Sequence, residues 1–446
     1  MPGSTKYTAA RLTENPRFDG ARPLAVLSVA PGAAGVKDVQ TAVRFARDHH
    51  VPLAIRAGGH SYAGWSSGGS PRALVIDLRP LNAVDVAGSQ ATLGSGVSLA
   101  VAYAGLANAG VAIPGGSCAT VGLGGLTLGG GVGVLTRAFG LTADNVASVQ
   151  VVNADGEVLT ASANAEPDLF WALRGGGGRL GVVTSFTMTA RPAPTVHTFY
   201  RRWSAASAAQ VMPAWQSWIS NADRRAWSTL KLLGGAKHPS GPSLLMSGTW
   251  VGPASSNPLP QLLEHCPPPL GSFDSTLTYG QAMANYAGCT GISIAQCNTG
   301  PGGALQRELL AATSHVAFKP LGAGGITAIV DAVTATPSSL KEAGISIDSL
   351  GGATNDFAAD ATAWPHRGAL FTVQYTATVT DVARIQQAQN WARHLRATMV
   401  PSWGSAGYVN YVDPTLPSSD YFGAHLARLR SIKQAVDADS VFGASW

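Results

Sequence analysis

Charge is scarce in this sequence: Asp, Glu, Lys and Arg make up 12% of 446 residues, against 46% hydrophobic. That balance excludes a disordered or highly charged chain and describes a well-buried globular one. The formal charge is only +5, and no run of Lys or Arg occurs. The basic pairs Arg201–Arg202 and Arg224–Arg225 stand alone, as solvated surface or ion-pair partners. Nucleic-acid binding needs a concentrated basic stripe, so no nucleic-acid partner is expected. No segment approaches the ~20 apolar residues of a membrane span, and Met1 to Lys6 lack the apolar stretch of a signal peptide. A soluble chain without a membrane partner is expected, its compartment left open. Cysteine is also rare, with four residues in all, too few for a disulfide scaffold at this length. Cys289 and Cys297 are near enough to close a short loop, either as a disulfide or as two buried thiols. Cys266 has no evident partner. Missing as well are G-x-G-x-x-G after a strand and G-x-x-x-x-G-K-[ST], which argues against Rossmann and P-loop nucleotide sites.

The length suits two domains. Short apolar runs at 24–30, 52–55 and 73–78 read as strands, and 36–49 and 98–108 read as helices. Segments 149–153 and 157–161 flank Ala154-Asp155-Gly156, a hairpin signal. A short helix over 168–173 runs into Gly175–Gly178, and 181–189 closes the region as a strand. Beyond Val196 the texture changes. Alternation at 243–251 and 368–379 predicts strands with one polar side. Helices are expected at 204–220, 325–335 and 381–397, with Pro213 a candidate kink in the first. A last helix spans 421–436. The reading is an α+β chain with domains at 1–195 and 196–403, and with 404–446 returning to the first.

Two glycine-rich stretches carry chemistry. Arg56-Ala57-Gly58-Gly59-His60-Ser61-Tyr62 follows a strand, and its Gly58, Gly59 and Ser61 N–H groups could approach a diphosphate. On its own that signal is weak. Residues 114–133 hold seven glycines between Gly122 and Gly133, interleaved with Val121, Leu123, Leu126 and Leu128. Such density is costly in chain entropy, and it suits backbone lying flat against something planar, such as a heterocycle.

These stretches together resemble the FAD-binding domain of the vanillyl-alcohol oxidase / p-cresol methylhydroxylase superfamily, in its berberine-bridge-enzyme-like branch. The resemblance rests on Arg56-x-Gly-Gly-His60-Ser-Tyr62 and Gly116-Ser-Cys118-x-x-Val-Gly-x-Gly-Gly. It extends through Arg137-x-x-Gly-Leu-x-x-Asp-Asn145, Leu169-Phe-Trp-x-x-Arg174-Gly-Gly-Gly-Gly and Gly181-Val-Val-Thr-Ser-Phe186. Late in the chain follow His366-Arg367, Val373-Gln374-Tyr375 and Tyr408-Val-Asn410-Tyr411-x-Asp413, so nearly the whole chain is covered. Leu126 departs from a histidine common in plant members, and Arg179-Leu180 departs from the usual Asn-Phe.

The resemblance implies a two-domain vanillyl-alcohol-oxidase-type fold: an FAD domain of two small subdomains, and a substrate domain with a helix-covered antiparallel sheet. It implies FAD bound covalently twice, by His60 to the 8α carbon and by Cys118 to C6. Arg56, Gly58, Gly59, Ser61, Val121, Gly122, Gly124, Gly125, Gly130, Gly133, Asn145, Gly181, Val182, Asn410 and Tyr411 are the further cofactor-binding candidates, with no metal. Tyr62, Gln374 and Tyr408 are implied to face the flavin. Some members carry a carboxylate where Gln374 stands, and a neutral amide is no base, so Tyr408 is expected as the base with Tyr62 second. The implied activity is oxidation of an alcohol, sugar hemiacetal or activated C–H in a carbohydrate or secondary metabolite, with O2 reduced to hydrogen peroxide. Alternatives are a dehydrogenase with another acceptor, and a flavoprotein that binds or cyclises its ligand without net oxidation. Trp203, Trp250, Trp364 and Trp403 are either sugar-stacking surfaces or core. Oligomeric state is not legible.

Overall fold

The computed structural model describes residues 2–69 and 71–444. Three short strands, Ala25–Ser28, Leu74–Asp77 and Leu53–Arg56, form a parallel sheet in that spatial order. The helix Gly32–Asp48 packs on it through Val39, Ala42 and Val43, the buried stripe of an amphipathic helix. A second, antiparallel sheet has the order Val84–Ala87, Gln90–Gly94, Val182–Thr189, Val146–Val152, Val158–Ser162. The glycine-rich strip is not wholly extended: Leu123–Leu128 forms a short helix.

The third sheet has seven antiparallel strands: Gly271–Thr278, Thr195–Ser204, Ser243–Val251, Ala226–Gly234, Glu342–Ser349, Phe371–Thr378 and Leu310–Ala317. Alternation sorts its two faces. Leu230, Leu232, Ile345, Ile347, Val373 and Tyr375 pack into one core with Met212, Trp215, Ile329 and Met399 from the helices Ala208–Asn221, Ala323–Thr334 and Ile385–Trp403. The intervening residues, among them Thr229, Lys231, Ser346, Asp348, Thr372 and Gln374, point the other way.

Pro213 does not split its helix. It is exposed, as is Ala209 one turn earlier. The carbonyl that loses its N–H partner therefore faces water. Trp203, Trp250, Trp364 and Trp403 are all at most 5% exposed, so they are core rather than stacking surfaces. Cys289 and Cys297 form a disulfide, while Cys118 and Cys266 are free.

Past the last long helix, Val412, Tyr421, Phe422, Leu429 and Ile432 join the core built by residues such as Leu93, Val149 and Phe186. The final helical stretch breaks at Gly423 into Ser418–Phe422 and Leu426–Val436. Two of the motifs quoted above hold the large sheet to the rest of the chain. Arg137 donates to the carbonyls of Ala226 (2.6 Å), Leu350 (2.6 Å) and Ala222 (2.9 Å). Arg367 forms a buried ion pair with Asp144 at 2.5 Å. No helix among the described residues is long and apolar enough to cross a membrane.

Candidate active site

The strand Leu53–Arg56 delivers the loop that carries His60, and Gly59 turns it with a φ of +80°. This loop crosses the glycine strip at one point. A Cβ on Gly58 would lie 2.2 Å from the Gly122 nitrogen, and one on Gly122 would lie 2.1 Å from the Gly58 nitrogen. Only a glycine pair permits that approach. The crossing sets His60 Nε2 2.8 Å from Thr120 Oγ1, two residues from Cys118. Burial pushes the His60 pKa down to about 4, so its imidazole is neutral near pH 7.

Cys118 is exposed, yet burial is the main cause of its raised pKa, with Lys231 opposing. The exposed Cys118 and Gly125 and the partly exposed His60, Tyr62, Gln374 and Tyr411 outline one open space, the channel. Tyr62, Tyr103 and Tyr411 stand close enough to feel its charge. Gln374 Nε2 donates to Tyr62 Oη at 2.6 Å. The Tyr62 and Tyr411 rings stack at 5.9 Å, and Tyr411 meets Tyr408 edge-on at 4.9 Å.

The sheet's polar face closes the channel. Gln374 pairs with Ser346, and Ser346 with Lys231; Asp348 pairs with Thr372 and Thr229. Lys231 and Asp348 are thus diagonal neighbours, within reach of each other's charge. Burial raises the Asp348 pKa, while the neighbouring Thr229 hydroxyl and the Lys231 charge lower it. The Asp348 charge is felt in turn at Tyr62, Tyr408, Tyr411 and Cys118. Sequence reasoning missed both Asp348 and Lys231. The signal available was a lone charge on the polar side of an alternating strand.

Tyr408 requires a correction. It is 1% exposed, and its hydroxyl accepts the Gly131 and Val132 N–H groups, each at 3.1 Å, and Asn410 Nδ2 at 2.9 Å. It props the glycine strip and does not face the channel. Tyr408→Phe should leave two buried N–H groups without an acceptor, costing ~1–3 kcal/mol of stability. The expected outcome is a lower unfolding midpoint, with flavin reduction slowed less than ~10-fold. A much slower reduction at unchanged stability would restore Tyr408 as the base.

Other expected cofactor contacts are engaged within the protein. Arg56 is 1% exposed, donates to the Ser66 carbonyl at 3.2 Å and lies 3.8 Å from Asp77. Asn145 Nδ2 donates to the Phe139 and Leu141 carbonyls at 3.0 and 2.9 Å, and Asn410 Nδ2 to that of Leu126 at 2.9 Å. Val182 is fully buried among Val29, Val39 and Phe442. Side chains at Gly124, Gly130, Gly133 and Gly181 would strike Ser95, Trp364, Gly115 and Val151. Those glycines serve packing. Gly125 differs: a Cβ there meets nothing within 4 Å, and it is exposed on the channel strip beside partly exposed Leu126. Val121 is half-buried, its nitrogen 3.4 Å from the Cys118 carbonyl, and Ser61 Oγ accepts the Trp65 N–H at 3.2 Å.

The architecture and this channel define a two-domain flavoprotein of the vanillyl-alcohol oxidase type. An FAD binding domain model matches residues 31–162, and a berberine and berberine-like model matches residues 407–445. An FAD-linked oxidoreductase of Bacillus subtilis, YgaK, is 32% identical over 91% of this chain and 87% of its own length. The solved structure of Physcomitrella patens BBE-like 1 is 30% identical, with a TM-score of 0.90 over 100% of this chain and 95% of that one. A glucooligosaccharide oxidase from Acremonium strictum, with a 6-S-cysteinyl, 8α-N1-histidyl FAD, is 27% identical. Its TM-score is 0.85 over 100% of this chain and 95% of that one. The chain belongs to the berberine-bridge-enzyme-like family of FAD-linked oxidoreductases and is an enzyme that uses FAD on a small-molecule substrate.

The residues present fit that cofactor. The channel is bordered by aromatic rings and open at Gly125. It holds a neutral imidazole whose Nε2 is engaged by Thr120, and a free thiol, the two groups able to bond an electron-poor ring.

Proposed function

We propose that this enzyme is an oxidase that removes two electrons from an alcohol or sugar hemiacetal and reduces O2 to hydrogen peroxide, with FAD tethered through His60 and Cys118. The observation that carries the reading is the Asp348 carboxylate, half-buried beside Lys231 on the polar sheet face, with its charge felt at Tyr62, Tyr411 and Cys118. When bound, FAD supplies the acceptor for the substrate's hydride and passes the electrons to O2. Asp348 takes the hydroxyl proton, and its pKa, lifted by burial, makes it a stronger base than an exposed carboxylate. The Lys231 charge opposes that rise. Tyr411, pushed well above a phenol's usual pKa by burial, stays protonated and orients the substrate oxygen as a hydrogen-bond donor. Tyr62, held by Gln374, flanks the same space. The partly exposed Lys231, Ser346, Asp348 and Gln374 on the polar sheet face suit a hydroxylated substrate better than an apolar polycycle, as does the likeness to a glucooligosaccharide oxidase.

The test is a panel of oligosaccharides, simple alcohols and polycyclic phenols, read by anaerobic flavin bleaching and then by hydrogen peroxide yield. Sugars should bleach the flavin and give one peroxide per turnover. Bleaching without peroxide, with turnover restored by an artificial acceptor, makes the enzyme a dehydrogenase instead.

Val121 stands in the turn behind Cys118, and with the flavin held at Cys118 one added methylene there would narrow the approach of O2 to the ring. Val121→Leu is expected to slow reoxidation of reduced enzyme by at least ~10-fold, a barrier change of ~1.4 kcal/mol, and to leave the reductive step nearly unchanged. Mixing anaerobically reduced enzyme with oxygenated buffer measures it. Equal reoxidation rates in both proteins remove Val121 from the oxygen path.

A further inference from the structure

We propose that Glu14 is the positioning residue and proton acceptor for covalent attachment at His60, acting with Thr120. This rests on the covalent reading above. Glu14 is fixed by three contacts. Its N–H donates to the Gly59 carbonyl at 3.3 Å, beside His60 in the chain. Its Oε1 accepts from Thr299 Oγ1 at 2.7 Å, and the same Oε1 lies 4.0 Å from His60 Nε2. Thr120 Oγ1 stands 2.8 Å from that same nitrogen. Both oxygens therefore sit on the Nε2 side of the ring.

The chemistry follows from that one-sidedness. An oxygen accepting from Nε2–H holds the proton there and leaves the Nδ1 lone pair free for attack. Attachment breaks one C–H bond of the 8α carbon, releasing its proton to solvent, and forms a bond from Nδ1 to that carbon. The bonded imidazole is then cationic until Nε2–H is lost. A carboxylate at 4.0 Å stabilises that charge and, through Thr120 or a small shift, takes the proton. The two electrons from the broken C–H bond stay on the ring system and pass with two protons to O2, giving hydrogen peroxide. Burial raises the Glu14 pKa, against the Thr299 bond and the charges of Arg307 and Arg79, and so makes it a better acceptor.

The test counts flavin that stays with acid-denatured protein. In Cys118→Ala, where His60 is the sole tether, the flavin should stay. Adding Glu14→Gln should slow attachment by ~10-fold or more while native protein still binds FAD, and Glu14→Asp should restore most of it. In His60→Ala, Glu14→Gln should leave the Cys118 tether intact. Because Glu14→Gln can perturb folding, Thr120→Val and Thr120→Ser in Cys118→Ala give a second reading: valine should slow attachment and serine should not. Full attachment in Cys118→Ala/Glu14→Gln overturns the proposal. So does loss of the Cys118 tether in His60→Ala/Glu14→Gln, which marks a general collapse of the site. Flavin release from Cys118→Ala alone withdraws the covalent reading itself, and the proposal with it.

Discussion

Asp348→Asn is expected to slow flavin reduction by ~10²–10⁴-fold, the range for removing a positioned general base. The amide nearly matches the carboxylate in shape, so substrate binding should change far less. The pH profile supplies a second signature. Burial raises this carboxyl's pKa, so activity should fall as pH drops through it and the base becomes protonated. Lys231 pulls that pKa down. Lys231→Met should therefore move the acidic limb to higher pH. The tether should not suffer, because the Asp348 charge raises the Cys118 pKa and its loss eases ionisation of the thiol. Anaerobic stopped-flow reduction across pH, with acid-stable flavin measured on the same preparations, separates these effects. Reduction within tenfold of wild type at every pH places the base elsewhere, and Tyr411 is then the next group to remove.

What the sequence could reveal follows from how local each signal is. The helices and most strands were legible because a buried stripe or an alternating run lies within one segment, and His60 and Cys118 sit in compact motifs. Asp348 was not. Its strand reads Glu-Ala-Gly-Ile-Ser-Ile-Asp-Ser. Nothing local separates a carboxylate facing Tyr411 from one facing water. The two tyrosines of Tyr408-Val-Asn410-Tyr411 were interchangeable for a similar reason. Tyr408 precedes a 3-10 turn, Val409–Tyr411, that Tyr411 ends, and only its placement sends Tyr408 into the core and Tyr411 into the channel. Glycine density was ambiguous in kind. Gly58 and Gly122 are required where two backbones cross, whereas Gly125 borders open space. A sequence shows the same letter for both.

The double variant His60→Ala/Cys118→Ala should release all its flavin on acid denaturation, while each single variant keeps it through the remaining bond. The expectation rests on the two groups reaching the channel from different loops, braced by the contact of His60 with Thr120 and by the Gly58–Gly122 crossing. Neither loop depends on the other's bond for its position. Stability offers an independent reading. A cofactor bound reversibly to the native state stabilises it by mass action, so each tenfold rise in free FAD adds about 1.4 kcal/mol once FAD is in excess. The double variant's melting temperature should therefore climb with added FAD. That of fully flavinylated wild type should stay flat, because its site is permanently filled. Thermal denaturation over an FAD series, with intact mass of each protein, measures both. A wild-type mass equal to the bare polypeptide, with a melting temperature that rises with FAD, would show that the flavin is held without either bond.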